Sequence, residues 1–172
     1  GLSPNKDPMS TSQPDGRALA LAELLEWAES QALQQSEGLS PADLAHRPEG
    51  KSNPAHWILG HIAVSINWVR RTVGLERSGS PAWRELFSHP FDAARLAEYP
   101  SGDELRQFIR TEFAPMRERL LAMSAESLAK ATGNANAEFS TVGRTLRIAI
   151  GHLIYHCGQL GTIRKLTGHK PV

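Results

Sequence analysis

The stretch TVGRTLRIAIGHLIYHCGQLGTIRKLTG, residues 141–168, decides the fold of this chain. Its composition and spacing predict one long α-helix, and two of its histidines, His152 and His156, lie four residues apart. On an α-helix this spacing places both imidazoles on one face, one turn apart. Two neutral imidazoles in that arrangement can bind one divalent metal ion. The last helix is therefore the first place to look for a site.

Helical periodicity places this histidine pair on a buried face. At about 100° per residue, one stripe of the helix contains Thr145, Ala149, His152, His156, Gln159 and Ile163. Most of the other positions are apolar, so the predicted buried arc is wide. Buried imidazoles need partners, which are either a metal ion or hydrogen bonds to glutamine, glutamate or backbone. The pair alone does not decide between these, and a third ligand has to come from elsewhere in the chain.

Composition limits the class of protein. The chain has 172 residues, the size of one domain, and its 19 Lys and Arg against 18 Asp and Glu give a net charge of +1. This balance gives no reason to expect nucleic acid or a membrane surface as partner. The single cysteine, Cys157, excludes an internal disulfide framework and suits a reducing compartment. Since no apolar run resembles a membrane span or a signal peptide, we expect a cytoplasmic protein.

The pattern along the chain predicts an all-α domain. Residues 1–14, rich in Pro, Ser and Asp, are expected to form a flexible N-terminal arm, and residues 15–172 one domain. Amphipathic helices are predicted at about 16–37, 54–74, 101–123 and 141–168, with no convincing strand alternation. These four segments indicate a four-helix bundle. A long crossover between helices 2 and 3 would allow these two helices to run parallel.

A third histidine lies at the centre of the second predicted helix. His61 shares the apolar face of that helix with Trp57 and Trp68, which either wall a substrate pocket or pack in the core. Together with His152 and His156 it has the number and geometry of a facial three-histidine site with an open position. Three imidazoles suit zinc, nickel, copper or iron. The alternative is a hydrogen-bonded cluster of core histidines.

Two further polar residues are candidates for supporting such a site. Gln159 lies one turn beyond His156 on the same stripe, where it either orients a ligand imidazole or simply packs. Glu112 falls within the apolar stripe of the third helix, which is unusual for a carboxylate. It is interpreted as an acceptor for a ligand histidine, a general base or an ion-pair partner of Arg119.

Two other residues are excluded from the site by helical geometry. Cys157 diverges by about 100° from its neighbour His156, so its sulfur is expected to pack in the core instead of acting as a nucleophile. His56 falls on the opposite side of its helix from His61 and is expected to be exposed. The wide apolar arc of the last helix either pairs with a second copy of the chain or is covered by the crossover segment.

The segments that carry these histidines resemble the DinB/YfiT-like superfamily. The specific matches are WILGHIA at 57–63 and TVGRTLRIAIGHLIYHCGQL at 141–160, with looser matches in the turns PADLAHRP and EYPSGDEL. The resemblance extends over nearly the whole chain from about Asp15. It implies an up-down-down-up four-helix bundle, often a homodimer, and one divalent metal ion, often nickel or zinc. The implied ligands are His61, His152 and His156.

The resemblance also implies a class of function. Family members include metal-dependent transferases that use the low-molecular-weight thiols mycothiol, bacillithiol or glutathione, and proposed hydrolases. A metal ion lowers the pKa of a thiol and makes the nucleophile available at neutral pH, so no protein nucleophile is needed. The expected function is thus a metal-dependent thiol transferase, or a related hydrolase, acting on a small-molecule substrate. The alternatives are a non-catalytic metal- or ligand-binding stress-response bundle, and a structural dimer whose histidines only pack.

Overall fold

The computed structural model describes residues 13–172, so the predicted N-terminal arm lies almost entirely outside the described residues. Within these residues the chain is helical and contains no β-strand, which confirms the all-α prediction. Its α-helices are α1 (Gly16–Ser36), α2 (Pro41–Ala45), α3 (Ala55–Thr72), α4 (Pro81–Leu86), α5 (Gly102–Leu121), α6 (Ala125–Ala129) and α7 (Val142–Leu166). Short 3-10 helices occupy Pro48–Gly50, Ala93–Glu98 and Ala137–Phe139.

Side-chain caps begin three of the long helices where the sequence predicts them. The Asp15 carboxylate accepts hydrogen bonds from the first backbone N–H groups of α1. Ser101 and Glu104 form a reciprocal capping box at the start of α5, and the Thr141 hydroxyl accepts from the third residue of α7. Each cap satisfies N–H groups that have no partner within the helix and so fixes the helix start.

The start of α3 differs from the prediction. The pair Asn53–Pro54 in the sequence predicts an Asn53 cap with Pro54 at the first helical position. In the structure Pro54 itself occupies the cap position, and no side chain caps the helix. The Asn53 side chain instead accepts a hydrogen bond from the backbone N–H of Phe91, at 3.1 Å. The amide therefore ties the start of α3 to the segment between α4 and α5.

The four long helices α1, α3, α5 and α7 pack around one apolar core as a helical bundle. Helices α1 and α3 each contact both α5 and α7. The largest fully buried side chains come from all four helices and include Leu25, Leu59, Ile62, Ile66, Leu105, Ile109, Leu120, Leu146 and Ile150. Burying each such side chain contributes about 1.5–3 kcal/mol, so this core is the main source of stability.

Contacts between specific residues fix which part of each long helix lies beside its neighbour. Between α1 and α7, Ala28 meets Cys157 and Glu37 meets Arg164; between α1 and α5, Glu29 meets Arg117 and Leu33 meets Arg106. Between α3 and α5, His56 meets Pro100, just before α5, and Arg70 meets Glu112. Between α3 and α7, His61 meets His156 and Trp68 meets His152. Each of these four helix pairs is thus held together at two positions along its length.

The connection between α3 and α5 packs back onto α3 instead of passing through solvent. Phe87, directly after α4, is fully buried, and its ring lies against Gly60 of α3. His56 was expected to be exposed, but it is half-buried, because its ring hydrogen-bonds the backbone carbonyl of Pro100. Both ends of this connection are therefore anchored on α3.

None of the described helices combines the length and apolarity that a membrane crossing requires. The expected cytoplasmic location goes beyond that finding and stays a prediction. The structure describes one chain, so the expected homodimer also stays a prediction.

The packing of Phe87 against α3 predicts a large effect of one added methyl group. In Gly60→Ala the new Cβ would overlap the Phe87 ring. Overpacking of this kind costs about 1–3 kcal/mol, which exceeds the roughly 0.5–1 kcal/mol that alanine gains over glycine within a helix. Urea unfolding should show a lower free energy of unfolding for this variant.

The matched control is Gly158→Ala on the exposed face of α7, where a Cβ meets no atom within 4 Å. This variant should be more stable than the parent by roughly 0.5–1 kcal/mol. If Gly60→Ala were stabilised to the same extent, the described packing of Phe87 on α3 would be wrong.

Candidate metal centre

Three histidines converge where α3 crosses α7. His61 comes from the middle of α3, and His152 and His156 come from successive turns of α7. Each offers one ring nitrogen, and these three atoms all lie within 4.8 Å of one another. Within residues 13–172 this is the one group of three metal-ligating side chains that meets so closely. The structure therefore brings together the three histidines that the sequence singled out.

The spacing of the rings suits a single ion. The Nε2 atoms of His152 and His156 are 3.0 Å apart. The ring centroid of His61 lies 4.5 Å from that of His156 and 5.3 Å from that of His152. A tetrahedral ion with metal–nitrogen bonds of about 2.0–2.1 Å keeps its ligand nitrogens roughly 3.4 Å apart. The 3.0 Å between the Nε2 atoms of His152 and His156 is slightly below that value, and the donor atom of His61 lies within 4.8 Å of both, so small side-chain adjustments satisfy it.

Two of the three imidazoles are oriented by carbonyl oxygens. His61 donates from Nδ1 to the backbone carbonyl of Phe87, and His156 donates from Nδ1 to the side-chain carbonyl of Gln159, each at 2.7 Å. Because a carbonyl oxygen only accepts, the proton of each neutral ring lies on Nδ1 and the lone pair on Nε2. Gln159 thus lies where the sequence predicts it, beside His156. Both rings present a metal-binding nitrogen.

His152 is the least satisfied of the three rings. Its Nδ1 is buried without a hydrogen-bond partner among the described residues. Its Nε2 faces that of His156, which already carries a lone pair, so one N–H···N hydrogen bond is all that the two nitrogens can share. A cation coordinated by the lone pairs of all three rings would use this donor set more fully. The residues present therefore fit a divalent metal ion.

Burial keeps the three rings neutral. It lowers the pKa of His152 to about 4, with further lowering from the neighbouring His156 and His61. Burial is also the main cause that lowers the pKa of His61 and of His156. Metal binding requires the unprotonated imidazole. The site is therefore in its binding-competent protonation state at pH 7.

The two tryptophans expected near the site have different environments. Trp57 is buried and stacks on His61 with 4.7 Å between ring centroids and 10° between planes, while its Nε1 donates to the carbonyl of His89. Trp68 is 36 % exposed and stands edge-on to His152, with 6.1 Å between ring centroids. It lines a cavity of about 890 Å³. Trp57 therefore supports His61, a candidate ligand, and Trp68 is the one that walls a cavity.

Glu112 lies outside this cluster. Its carboxylate forms an ion pair with Arg70 at 3.1 Å, and not with Arg119 as one interpretation expected. Arg70 is nine residues beyond His61 on α3, a rise of about 13 Å along the helix. The carboxylate joins α3 to α5, and no described contact gives it a role at the histidines.

Cys157 packs away from the histidines, as helical geometry predicted. It is 3 % exposed, and its sulfur approaches the backbone carbonyl of Ala28 on α1 at 3.5 Å. Burial raises the pKa of its thiol to about 12. A nucleophilic role is therefore disfavoured by both position and protonation.

Sequence reasoning missed two neighbours of the site. The Phe87 carbonyl that orients His61 is a backbone group from another segment, and no sequence pattern points to it. Tyr155 is 65 % exposed, and its ring centroid lies 5.2 Å from that of His156. The only sign in the sequence was its position next to His156. Adjacent helix positions usually diverge, so this sign did not point to a contact.

Comparison with known proteins identifies a family. The model of the DinB superfamily matches residues 24–160, well over half of the 172 residues. The match spans α3 and most of α7 and so includes all three histidines. A search of curated proteins found no match to the chain.

The environment of Cys157 predicts an unreactive thiol. With a pKa of about 12, only about one thiol in ten thousand is ionised at pH 8, and the sulfur is shielded from solvent. Native protein mixed with an excess of an aromatic disulfide reagent at pH 8 should release almost no chromophore within minutes. The same protein unfolded in urea should react with one equivalent at once. Rapid reaction of the folded protein would contradict the described burial.

Proposed function

We propose that the chain, which belongs to the DinB superfamily, binds one divalent metal ion through His61, His152 and His156. The observation that carries this proposal is the convergence of their three donor atoms within 4.8 Å at the crossing of two core helices. Nickel and zinc are the proposed ions, because both accept imidazole nitrogen and leave a coordination position open.

A packed cluster of hydrogen-bonded histidines explains these contacts less well. Such a cluster would satisfy every ring nitrogen, since a buried polar atom without a partner costs about 1–3 kcal/mol. Here one nitrogen of His152 has no partner, and the Nε2 atoms of His152 and His156 can share only one N–H···N hydrogen bond. A bound cation would instead accept the lone pairs of both Nε2 atoms.

We further propose that the protein is a metal-dependent transferase acting on a low-molecular-weight thiol, or a related hydrolase. A divalent ion bound here supplies a nucleophile by lowering the pKa of a thiol or a water molecule. His61, His152 and His156 would hold that ion. Phe87 and Gln159 fix the ring orientations, and Trp57 restricts movement of His61.

The single cysteine of the chain is not placed to act as a nucleophile. Cys157 is buried against α1, and its raised thiol pKa leaves it protonated. The reacting thiol or water then has to come from outside the protein, which suits a transferase that uses a small thiol. The nearby cavity lined by Trp68 offers room for such a substrate.

We also propose the up-down-down-up course for the four long helices. The contact pairs support it: later residues of α1 meet later residues of α7, and the same holds for α3 and α5. The order is reversed between α1 and α5 and between α3 and α7. A crystal structure in which α1 and α7 ran antiparallel would overturn this arrangement.

Metal binding is tested by the composition of the purified protein. Chain loaded with zinc or nickel and then desalted should retain about one ion per chain, measured by plasma mass spectrometry. His152→Ala should abolish stable retention, because it removes one of three ligands. Gln159→Leu should weaken affinity by roughly 10–100-fold, since it frees the His156 ring without removing a ligand.

The matched control is His46→Ala, which removes an exposed histidine at the end of α2. This variant should bind metal as the parent does. Equal retention by the parent, His46→Ala and His152→Ala would show adventitious binding and sink the assignment of the three histidines.

Turnover is tested with the metal-loaded protein. We expect consumption of a thiol from a panel of glutathione, bacillithiol and mycothiol, each paired with a reactive electrophile and followed by loss of free thiol. Cys157→Ala should retain this activity, and His61→Ala should lose it. One bound ion without thiol consumption or hydrolysis of activated esters would favour the non-catalytic metal-binding alternative.

A further inference from the structure

The cavity beside the histidines is positively charged. It has a volume of about 890 Å³ and lies between the end of α3, the start of α4 and the first turns of α7. Three arginines line it, Arg71, Arg77 and Arg84, and no aspartate or glutamate does. The remaining lining is apolar or neutral, with Trp68 and Phe139 as its aromatic walls. A concave surface with charge of one sign concentrates ligands of the opposite sign.

The backbone that carries these arginines is held rigidly. The buried Asn67 side chain accepts a hydrogen bond from the backbone N–H of Ser78 at 2.7 Å and donates to its carbonyl at 2.9 Å. This pair fixes the segment containing Arg77 against α3. Arg84 donates to the carbonyl of Gly79 at 2.6 Å, which holds its side chain beside the same segment. Because its side chain is already held, Arg84 would lose less entropy when a ligand binds.

The charge of this cavity is not neutralised within the described part of the chain. Arg71 and Arg77 form no ion pair with the described acidic residues. The one described side-chain hydrogen bond of Arg84 goes to a neutral backbone carbonyl. Arginines elsewhere behave differently, since Arg95 and Arg147 are both paired with glutamates. Unpaired guanidinium groups around a cavity are typical of sites that bind carboxylate or phosphate.

The cavity is one side chain away from the three histidines. Trp68 belongs to its wall, and the same ring stands 6.1 Å, centroid to centroid, from His152. Val64, also in the wall, lies one turn beyond His61 on α3. A small molecule held by the arginines would have to extend past Trp68 to bring its remaining atoms to the proposed metal.

We propose that the substrate of this protein carries a carboxylate or phosphate group and that Arg71, Arg77 and Arg84 bind this group in the cavity beside Trp68. The identity of this anion as substrate rests on the proposed function at the histidines. The binding of an anion by the arginines does not depend on metal. The two statements can therefore fail separately.

The test is calorimetric titration of the metal-loaded full chain with succinate and, separately, with inorganic phosphate at low ionic strength. We expect binding of at least one of the two anions, and the tighter one identifies the preferred group. Arg71→Gln and Arg77→Gln should each weaken that binding roughly tenfold, since each removes a charge-assisted hydrogen bond. Added salt should also weaken it, because both side chains are exposed.

Two control chains separate the possible explanations. Arg119→Gln removes an exposed arginine of α5 that does not line the cavity and should leave the affinity unchanged. His152→Ala should retain anion binding although it loses metal. Metal content is measured on the same samples, and a parent chain that binds the anion but retains no metal contradicts only the proposed function.

Three results would overturn the proposed anion site. The first is no binding of either anion to the parent chain. The second is equal weakening by Arg119→Gln and Arg71→Gln, which indicates general surface charge. The third is binding that disappears in His152→Ala but persists in the double variant Arg71→Gln, Arg77→Gln, which would place the anion on the metal and not on the arginines.

Discussion

The structure depends on one constraint, which is that imidazole rings placed in an apolar core must find partners there. Burying a polar ring without partners costs several kcal/mol. The chain meets this cost with one partner from a distant segment and one from α7 itself. The connection after α4 contributes the Phe87 carbonyl, and α7 contributes Gln159. The lack of a side chain at Gly60 lets the Phe87 ring lie against α3, which is what brings its carbonyl within reach of His61.

Local features of the fold could be predicted from the sequence, because their causes are local. The caps at Ser101 and Thr141 and the start of α1 follow from the hydrogen-bonding needs of helix ends. The convergence of His61, His152 and His156 follows from periodicity once two helices are assumed to face each other. Their chemical role was not derivable from spacing alone, and family resemblance supplied the expectation of a metal.

Features that depend on long-range pairing could not be predicted. Glu112 pairs with Arg70 across 42 residues, and the His56 ring reaches Pro100 across 44. Periodicity places a side chain on a face of its own helix but does not say which residue of another segment will face it. The arginine-lined cavity has the same origin. A net charge of +1 describes the whole chain, whereas a ligand meets the local arrangement of charges.

The hydrogen bonds that orient His61 and His156 differ in how substitutions can remove them. Gln159 orients His156 through its side chain, so one substitution at that position removes the contact. Phe87 orients His61 through its backbone, and every amino acid carries the same carbonyl at that place. The orientation of His61 therefore tolerates any side chain at position 87 that keeps the backbone in place against Gly60, while that of His156 requires the amide at position 159.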